Sequence, residues 1–361
     1  MKKQLTLGLI ALGLASGSAL AGHPAREVPM PTATPVLVTV PEQDGSWSLG
    51  IEALYWQPTN SDFQYALTRN EQSGANATHN IFETKEVENH YDWGFRLDGT
   101  YHIPVQGKDV EVSWVHFDED QVKETSNAYR TGADEENAVN LPWDYLAPSM
   151  FPVDGNSTQE FDSIHAKSEY DYDQIDLVFG QKVKVGNRVL LRPFVGARWA
   201  DIEAKNTVTG ILNDGTATNI AQNWRFNTEF EGIGPRVGMD GDIDLGYGFG
   251  VSARAGLSLL VGQQENDHKV RQNDVSANNV LMLDHNVSDN VRIVPETDIK
   301  MGVNYTHVFN QSWSALVEVG YEVTNYFGAL DKSVLGAFDS VNGSSDFAWN
   351  GPYARFQVNI A

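Results

Sequence analysis

The sequence predicts an all-β fold: a transmembrane antiparallel β-barrel of ten strands, within a range of eight to twelve, with short periplasmic turns and long extracellular loops. Three observations lead there. Ten segments alternate apolar and polar residues with period two, which is the pattern of strands with two unlike faces. The connections between them alternate long and short, a segregation that an outer-membrane barrel builds in and a soluble sandwich has no reason to keep. The chain also opens with a secretory signal, residues 1–21: Lys2 and Lys3, the apolar run Leu5–Ala15 and a small-residue cleavage site ending at Ala21. No later run approaches the roughly 18 to 20 apolar residues that a membrane helix needs, so strands must do the spanning.

Residues 22–45 carry Pro24, Pro29, Pro31, Pro35 and Pro41, which bar a helix or an inner strand and predict an extended periplasmic tether. The barrel then occupies 46–361. Trp47, Leu49, Ile51, Ala53 and Tyr55 share one face of the first strand, and Trp93, Phe95, Leu97 and Tyr101 that of the second. A tight turn at 104–107 leads to the third, with Val110, Val112 and Trp114 outward. Segments 169–183 and 187–203 form the next pair, with Val189, Leu191, Val195 and Trp199 outward on the latter.

In 223–240 the apolar residues change parity, from Trp224, Phe226 and Phe230 to Ile233, Val237 and Met239, which predicts a bulge at Gly232–Pro235. Gly241–Gly246 reads as the following turn, and 247–262, 291–309, 312–324 and 353–360 complete the set. In 312–324, Trp313, Ala315, Val317, Val319, Tyr321 and Val323 face one way, with Trp313 and Tyr321 as candidates for aromatic girdles at the membrane surfaces. The stretches 58–89, 118–168, 205–221, 263–290 and 328–349 read as the long loops.

Composition narrows the chemistry. There is no Cys, so disulfides, thiolate metal sites and Cys nucleophiles are excluded. Lys and Arg total 25 against 48 Asp and Glu; without Lys2 and Lys3 the balance is 23 − 48 = −25, which argues against nucleic acid as a partner. The acidic stretches Asp118–Asp120 and Asp134–Glu136 suggest divalent cations shared with anionic lipopolysaccharide. Neither a GxSxG elbow nor an H-E-x-x-H pair occurs, so no enzyme is expected, no catalytic or metal-binding residues are assigned, and no cofactor is expected.

Ile51–Ala66 (IEALYWQPTNSDFQYA), Trp93–Tyr101 (WGFRLDGTY) and Asp109–Phe117 (DVEVSWVHF), together with the signal and strand order, give a chain that resembles the pore-forming outer-membrane proteins typified by the Legionella major outer membrane protein. The resemblance implies a porin-like role in the bacterial outer membrane, with the barrel-insertion machinery as a partner and a homo-oligomer as an option. The chain ends Val358-Asn359-Ile360-Ala361, without the terminal aromatic residue common in such barrels.

In a membrane barrel the polar strand face lines the interior. The residues placed there are Glu52, Arg96, Asp98, Glu111, Asp176, Arg192, Arg198, Arg225, Glu229, Arg236, Arg254, Asp298, Glu318, Glu322 and Arg355. Opposed Arg and carboxylate rows would set ion preference in an open lumen, whereas a barrel near eight strands is filled by its own side chains. The sequence therefore supports passive passage of ions or small polar solutes, with a closed barrel serving as scaffold or adhesin through its long loops as the alternative.

Overall fold

In a strand with lipid outside and a packed interior, side-chain alternation alone decides which residues meet lipid, and the structure shows where that rule holds and where it reverses. A computed structural model describes residues 45–60, 64–74, 77–104, 107–127, 129–131, 134–140, 161–213, 219–274, 279–331 and 344–360. The signal and most of the tether lie outside them.

The described strands are β1 (Trp47–Asn60), β2 (Gln64–Gly74), β3 (Ala77–Glu86), β4 (Asp92–His102), β5 (Lys108–Asn127), β6 (Tyr129–Thr131), β7 (Asp134–Asn140) and β8 (Ser163–Gln181), followed by β9 (Val183–Val185), β10 (Val189–Asn213), β11 (Asn219–Gly246), β12 (Phe249–Asp274), β13 (Asn279–Val308), β14 (Trp313–Asp331) and β15 (Ser344–Ile360). Ten of them close a ring in the order β1, β4, β5, β8, β10, β11, β12, β13, β14, β15, with β15 paired back to β1. Every pairing in the ring is antiparallel, and Trp47 stands beside Ile360, so both ends of the ring meet at one rim. No open edge remains, as strands in hydrocarbon require.

The outward face carries the lipid belt: Leu49, Ile51, Leu97, Val112, Leu177, Val195, Val237, Leu257, Met301, Val319 and their neighbours are all exposed. Aromatic residues border it on both sides. At the periplasmic rim the ring centroids of Trp47 and Tyr101 lie 4.8 Å apart and those of Phe249 and Tyr305 5.0 Å, with Trp313 nearby on β14. At the other rim Tyr55 contacts Tyr91 and Trp93 at 5.3 and 4.8 Å. Trp47 to Tyr55 is about 26 Å along a strand, which matches the apolar band of an outer-membrane barrel once strand tilt is allowed for.

Beyond the outer girdle the strands continue, and their polarity inverts. On β8, Ile175, Leu177 and Phe179 face lipid, while Ile164, Ala166, Tyr170 and Tyr172 point inward and are buried. On β11, Ile233, Val237 and Met239 face lipid, whereas Trp224, Phe226 and Phe230 are inside. The pairing of β11 with β10 is continuous throughout, and with β12 the register shifts only between Asp244 and Gly246, so the expected bulge at Gly232–Pro235 is absent. The parity change marks the membrane surface: below it lipid draws apolar groups outward, above it water sends them inward.

The same effect corrects the expected loops. Much of 58–89, 118–168, 205–221, 263–290 and 328–349 is strand, with β10 reaching Asn213, β11 starting at Asn219, β12 reaching Asp274 and β13 starting at Asn279. Polar residues fill the outward positions there because the outer surface is aqueous. Within the first two of these stretches, β2, β3, β6 and β7 form a separate four-stranded sheet. The turn expected at Gly241–Gly246 also lies later. Ile243 and Leu245 still face outward, and the chain reverses through Gly246, Tyr247 and Gly248, all with positive φ. Gly248 is required there, because a Cβ would stand 2.5 Å from the Thr306 carbonyl oxygen.

Candidate functional site: the barrel interior

All the sequence-predicted lumen residues except Arg225 and Glu229 face the interior. Those two share the odd parity of Ile233 and stand on the outer surface above the belt; assigning them inward followed from the bulge that does not exist. Arg225 is exposed, and Glu229 joins Asp171, Asp173, Asp201, Glu203, Glu231 and Glu265 in an acidic rim on β8, β10, β11 and β12. Burial first, then Glu229, Glu231, Asp173 and Glu203, push the Asp201 carboxyl up to about 6. Of the acidic stretches expected to share cations, Asp118 is exposed on the outer face and Glu119 is buried inside, while the side chains of Asp134–Glu136 lie outside the described residues.

From the periplasmic rim inward, the interior has three levels. The first is a cavity of about 450 Å³ open at the rim, lined by Ser48, His102, Lys182, Asp242, Asn304 and Asn359 among others. At its floor Arg192 holds Asp109, Glu111 (2.9 Å) and Asp240 (2.6 Å), and Arg254 holds Asp240 (2.6 Å) and Glu111 (2.8 Å). The Arg254–Glu111 bond joins β12 to β5 across the lumen, and the guanidiniums of Arg192, Arg236 and Arg254 all lie over the Phe194 ring at 5.3 to 5.9 Å.

The second level is a pair of ion clusters. In one, Glu52 receives Arg96 at 2.7 Å and Lys300 at 2.5 Å, Arg96 also reaches Glu322 at 2.8 Å, and Arg355 binds Asp98 at 2.7 Å. Glu318 accepts from the Tyr353 hydroxyl, and the Lys300 ammonium sits 4.0 Å from that ring's centroid. In the other, Arg198 pairs with Asp176 in fork geometry at 2.7 Å and with Glu296 at 2.7 Å, and Arg236 with Asp298 at 2.5 Å. The lumen set expected from the sequence leaves out Asp109, Asp240, Glu296 and Lys300. All four stand on the inward parity of their strands, so alternation was the signal that would have found them.

The third level is aromatic and apolar. Trp56 stacks on Trp349 at 3.5 Å, and Leu54, Phe117, Phe230, Leu260, Val294, Phe347 and Leu330 pack around them with almost no exposure. The Tyr172 hydroxyl meets that of Tyr326 at 2.6 Å. β8 and β14 are five strands apart in a ring of ten, so this hydrogen bond spans the full diameter. Within the second and third levels, buried side chains fill the cross-section, as expected of a barrel this narrow.

Histidines are dispersed. His102 pairs with Ser48 (2.9 Å) at the periplasmic rim, His116 with Asp173 (3.2 Å) on the outer girdle, and His165 with Thr125 (2.9 Å) in the extracellular extension. Among the described residues no group of three or more His, Cys, Asp or Glu side chains forms a metal-binding cluster.

The family model of the Legionella pneumophila major outer membrane protein precursor matches residues 39–360. No curated protein matches the chain. Among solved structures, the chain is similar to the outer membrane protease OmpT from Escherichia coli, with 11% identity, 87% of this chain and 96% of that chain covered, and a TM-score of 0.37. It is also similar to the P. putida toluene transporter TodX, with 8% identity, coverage of 88% and 90%, and a TM-score of 0.34. For the CymD monoaromatic hydrocarbon channel the values are 10%, 88% and 89%, and 0.31.

Proposed function

The chain belongs to the Legionella pneumophila major outer membrane protein family, and from that footing we propose that it is a narrow outer-membrane channel for ions and small polar solutes, shut in the conformation described. The observation that carries this reading is the charged, water-open approach from the periplasm: a cavity of about 450 Å³ whose floor and next level are ion pairs rather than apolar packing. Replacing buried ion pairs by apolar groups is often neutral or stabilising, so a purely structural plug has little need of them. Seven cations (Arg96, Arg192, Arg198, Arg236, Arg254, Lys300, Arg355) meet ten carboxylates (Glu52, Asp98, Asp109, Glu111, Asp176, Asp240, Glu296, Asp298, Glu318, Glu322) in these levels, and the excess of acid favours cations over anions. The reading includes no enzymatic step. Outer-membrane lipid and lipopolysaccharide are its surroundings in this reading.

A second reading, a closed barrel acting as scaffold or adhesin, draws its support from the Tyr172–Tyr326 bond across the aromatic level. Conductance of the refolded chain in planar bilayers separates the two. The channel reading expects small, cation-preferring steps, and Tyr172→Ala combined with Tyr326→Ala should raise the unit conductance several-fold. Silence from both proteins would leave the closed scaffold.

A further inference from the structure

Val87–Tyr91 runs without strand structure from the small sheet into β4, and Glu88, Asn89 and His90 fasten it to β1 and β5, the ring neighbours of β4. Glu124 on β5 accepts from the Glu88 amide (3.0 Å) and from the Tyr65 hydroxyl (3.4 Å). Glu119, also on β5, accepts from the His90 amide (3.2 Å). Asn89 donates to the Pro58 carbonyl (3.2 Å), and its own carbonyl accepts from Gln57 (2.6 Å). Through this segment Tyr65 and Ala66 of β2 seat in a second apolar cluster with Phe161, Val208, Trp224 and Phe226, on the inner wall formed by β10, β11 and the approach to β8.

One member of this set is anomalous. Glu119 is 2% exposed, its Oε2 has no hydrogen-bond partner, and among the described residues no cation pairs with it. From the segment itself His90 contributes only its amide, Asp92 at the start of β4 repels it, and across β5 its register partner on β8 is Tyr170. A carboxylate in such a place is far costlier than a carboxylic acid.

We propose that the β2–β3 hairpin, which reaches from β1 to the inner wall at β10 and β11, covers the extracellular end of the barrel, that Val87–Tyr91 is the strap fastening it in the wall between β1 and β5, and that this strap lets go as pH rises because Glu119 must then take a charge into an apolar, anion-facing site. Burial first, against the opposing help of the His90 amide, pushes the Glu119 carboxyl up to about 8. Its ordinary value applies once the strap lifts and water reaches it. The closed state therefore holds a proton that the open state releases, and closure weakens progressively between the two values and no further. The proposal deepens the channel reading, since the hairpin that the strap holds packs against the inner wall beyond the level that fills the lumen.

The chain has no Cys, so a single engineered thiol reports without background. Ala66→Cys, fully buried in the apolar cluster against which Val87 packs, is exposed to a membrane-impermeant maleimide in proteoliposomes at about pH 5 and about pH 9, with its rate divided by that of the exposed Glu83→Cys on β3 to remove thiolate chemistry. The expected normalised rate rises about tenfold or more with pH, and Glu119→Gln holds it low at both. Tyr65→Phe, which removes the hairpin's own bond to Glu124, should raise it at both. An equal normalised rate at the two pH values, or a rise that survives Glu119→Gln, overturns the strap. Labelling does not depend on current: a strap that opens while bilayers stay silent refutes the channel alone, and current without pH-dependent labelling refutes the strap alone.

Discussion

Single interior charges differ in what their loss does. Glu52 is 1% exposed and is shared by Arg96 and Lys300, with Arg355 3.6 Å away, so Glu52→Ala leaves several buried cations short of a counter-charge. The expected loss is about 3 kcal/mol, read by urea titration of heat-modifiable gel mobility. Arg225→Ala, on the outer surface, should change the same midpoint by no more than about 0.5 kcal/mol. At the acidic rim the sign of the pH effect is set by a raised pKa. Asp201 goes from 3.8 to about 6 on folding, so the rim loses stability as pH climbs through that window and gains it on acidification. Melting in detergent should show this slope, and Asp201→Asn should flatten it. Which residues face inward was legible residue by residue from parity, but partnership was not: Lys300 and Glu52 are 248 positions apart, and only closure of the ring brings them together.

Strand identity was legible wherever one face met lipid, because there the contrast between faces is strongest. β14 runs on to Asp331, beyond the expected 312–324, but its faces needed no correction: Trp313, Val317, Val319, Tyr321 and Val323 face outward as its alternation required. β11 shows what escapes such a reading. Its alternation is unbroken, yet the meaning of an apolar residue reverses along it, and without the membrane boundary the reversal looks like an inserted residue. The two accounts place side chains differently. Met239→Arg, on the lipid face, should cost about 2 to 4 kcal/mol of barrel stability near the bilayer centre. Phe226→Cys, which a bulge would put in lipid, should resist lipid-soluble thiol reagents because it lies inside. The extended upper strands were illegible for the same reason: in water a strand whose outer face is polar looks like a loop.

At the scale of the molecule, topology followed from the even strand count and from the position of both ring termini at one rim. The state of the lumen did not follow. It depends on side chains from opposite walls meeting, as Tyr172 and Tyr326 do, and no local pattern encodes a diameter. The inversion of polarity also bears on how the chain reaches its membrane. The lower half of the long strands β5, β8 and β10 to β13 has the surface of a lipid-facing wall, but the upper half has that of a water-soluble protein, with carboxylates such as Asp171, Glu203 and Glu229 outward. During insertion from the periplasm that hydrophilic half must travel first and cross the full hydrocarbon layer. If its passage, rather than the formation of the belt, sets the rate, spontaneous insertion into preformed vesicles should slow steeply as acyl chains lengthen, even where the finished barrel fits the thicker bilayer equally well.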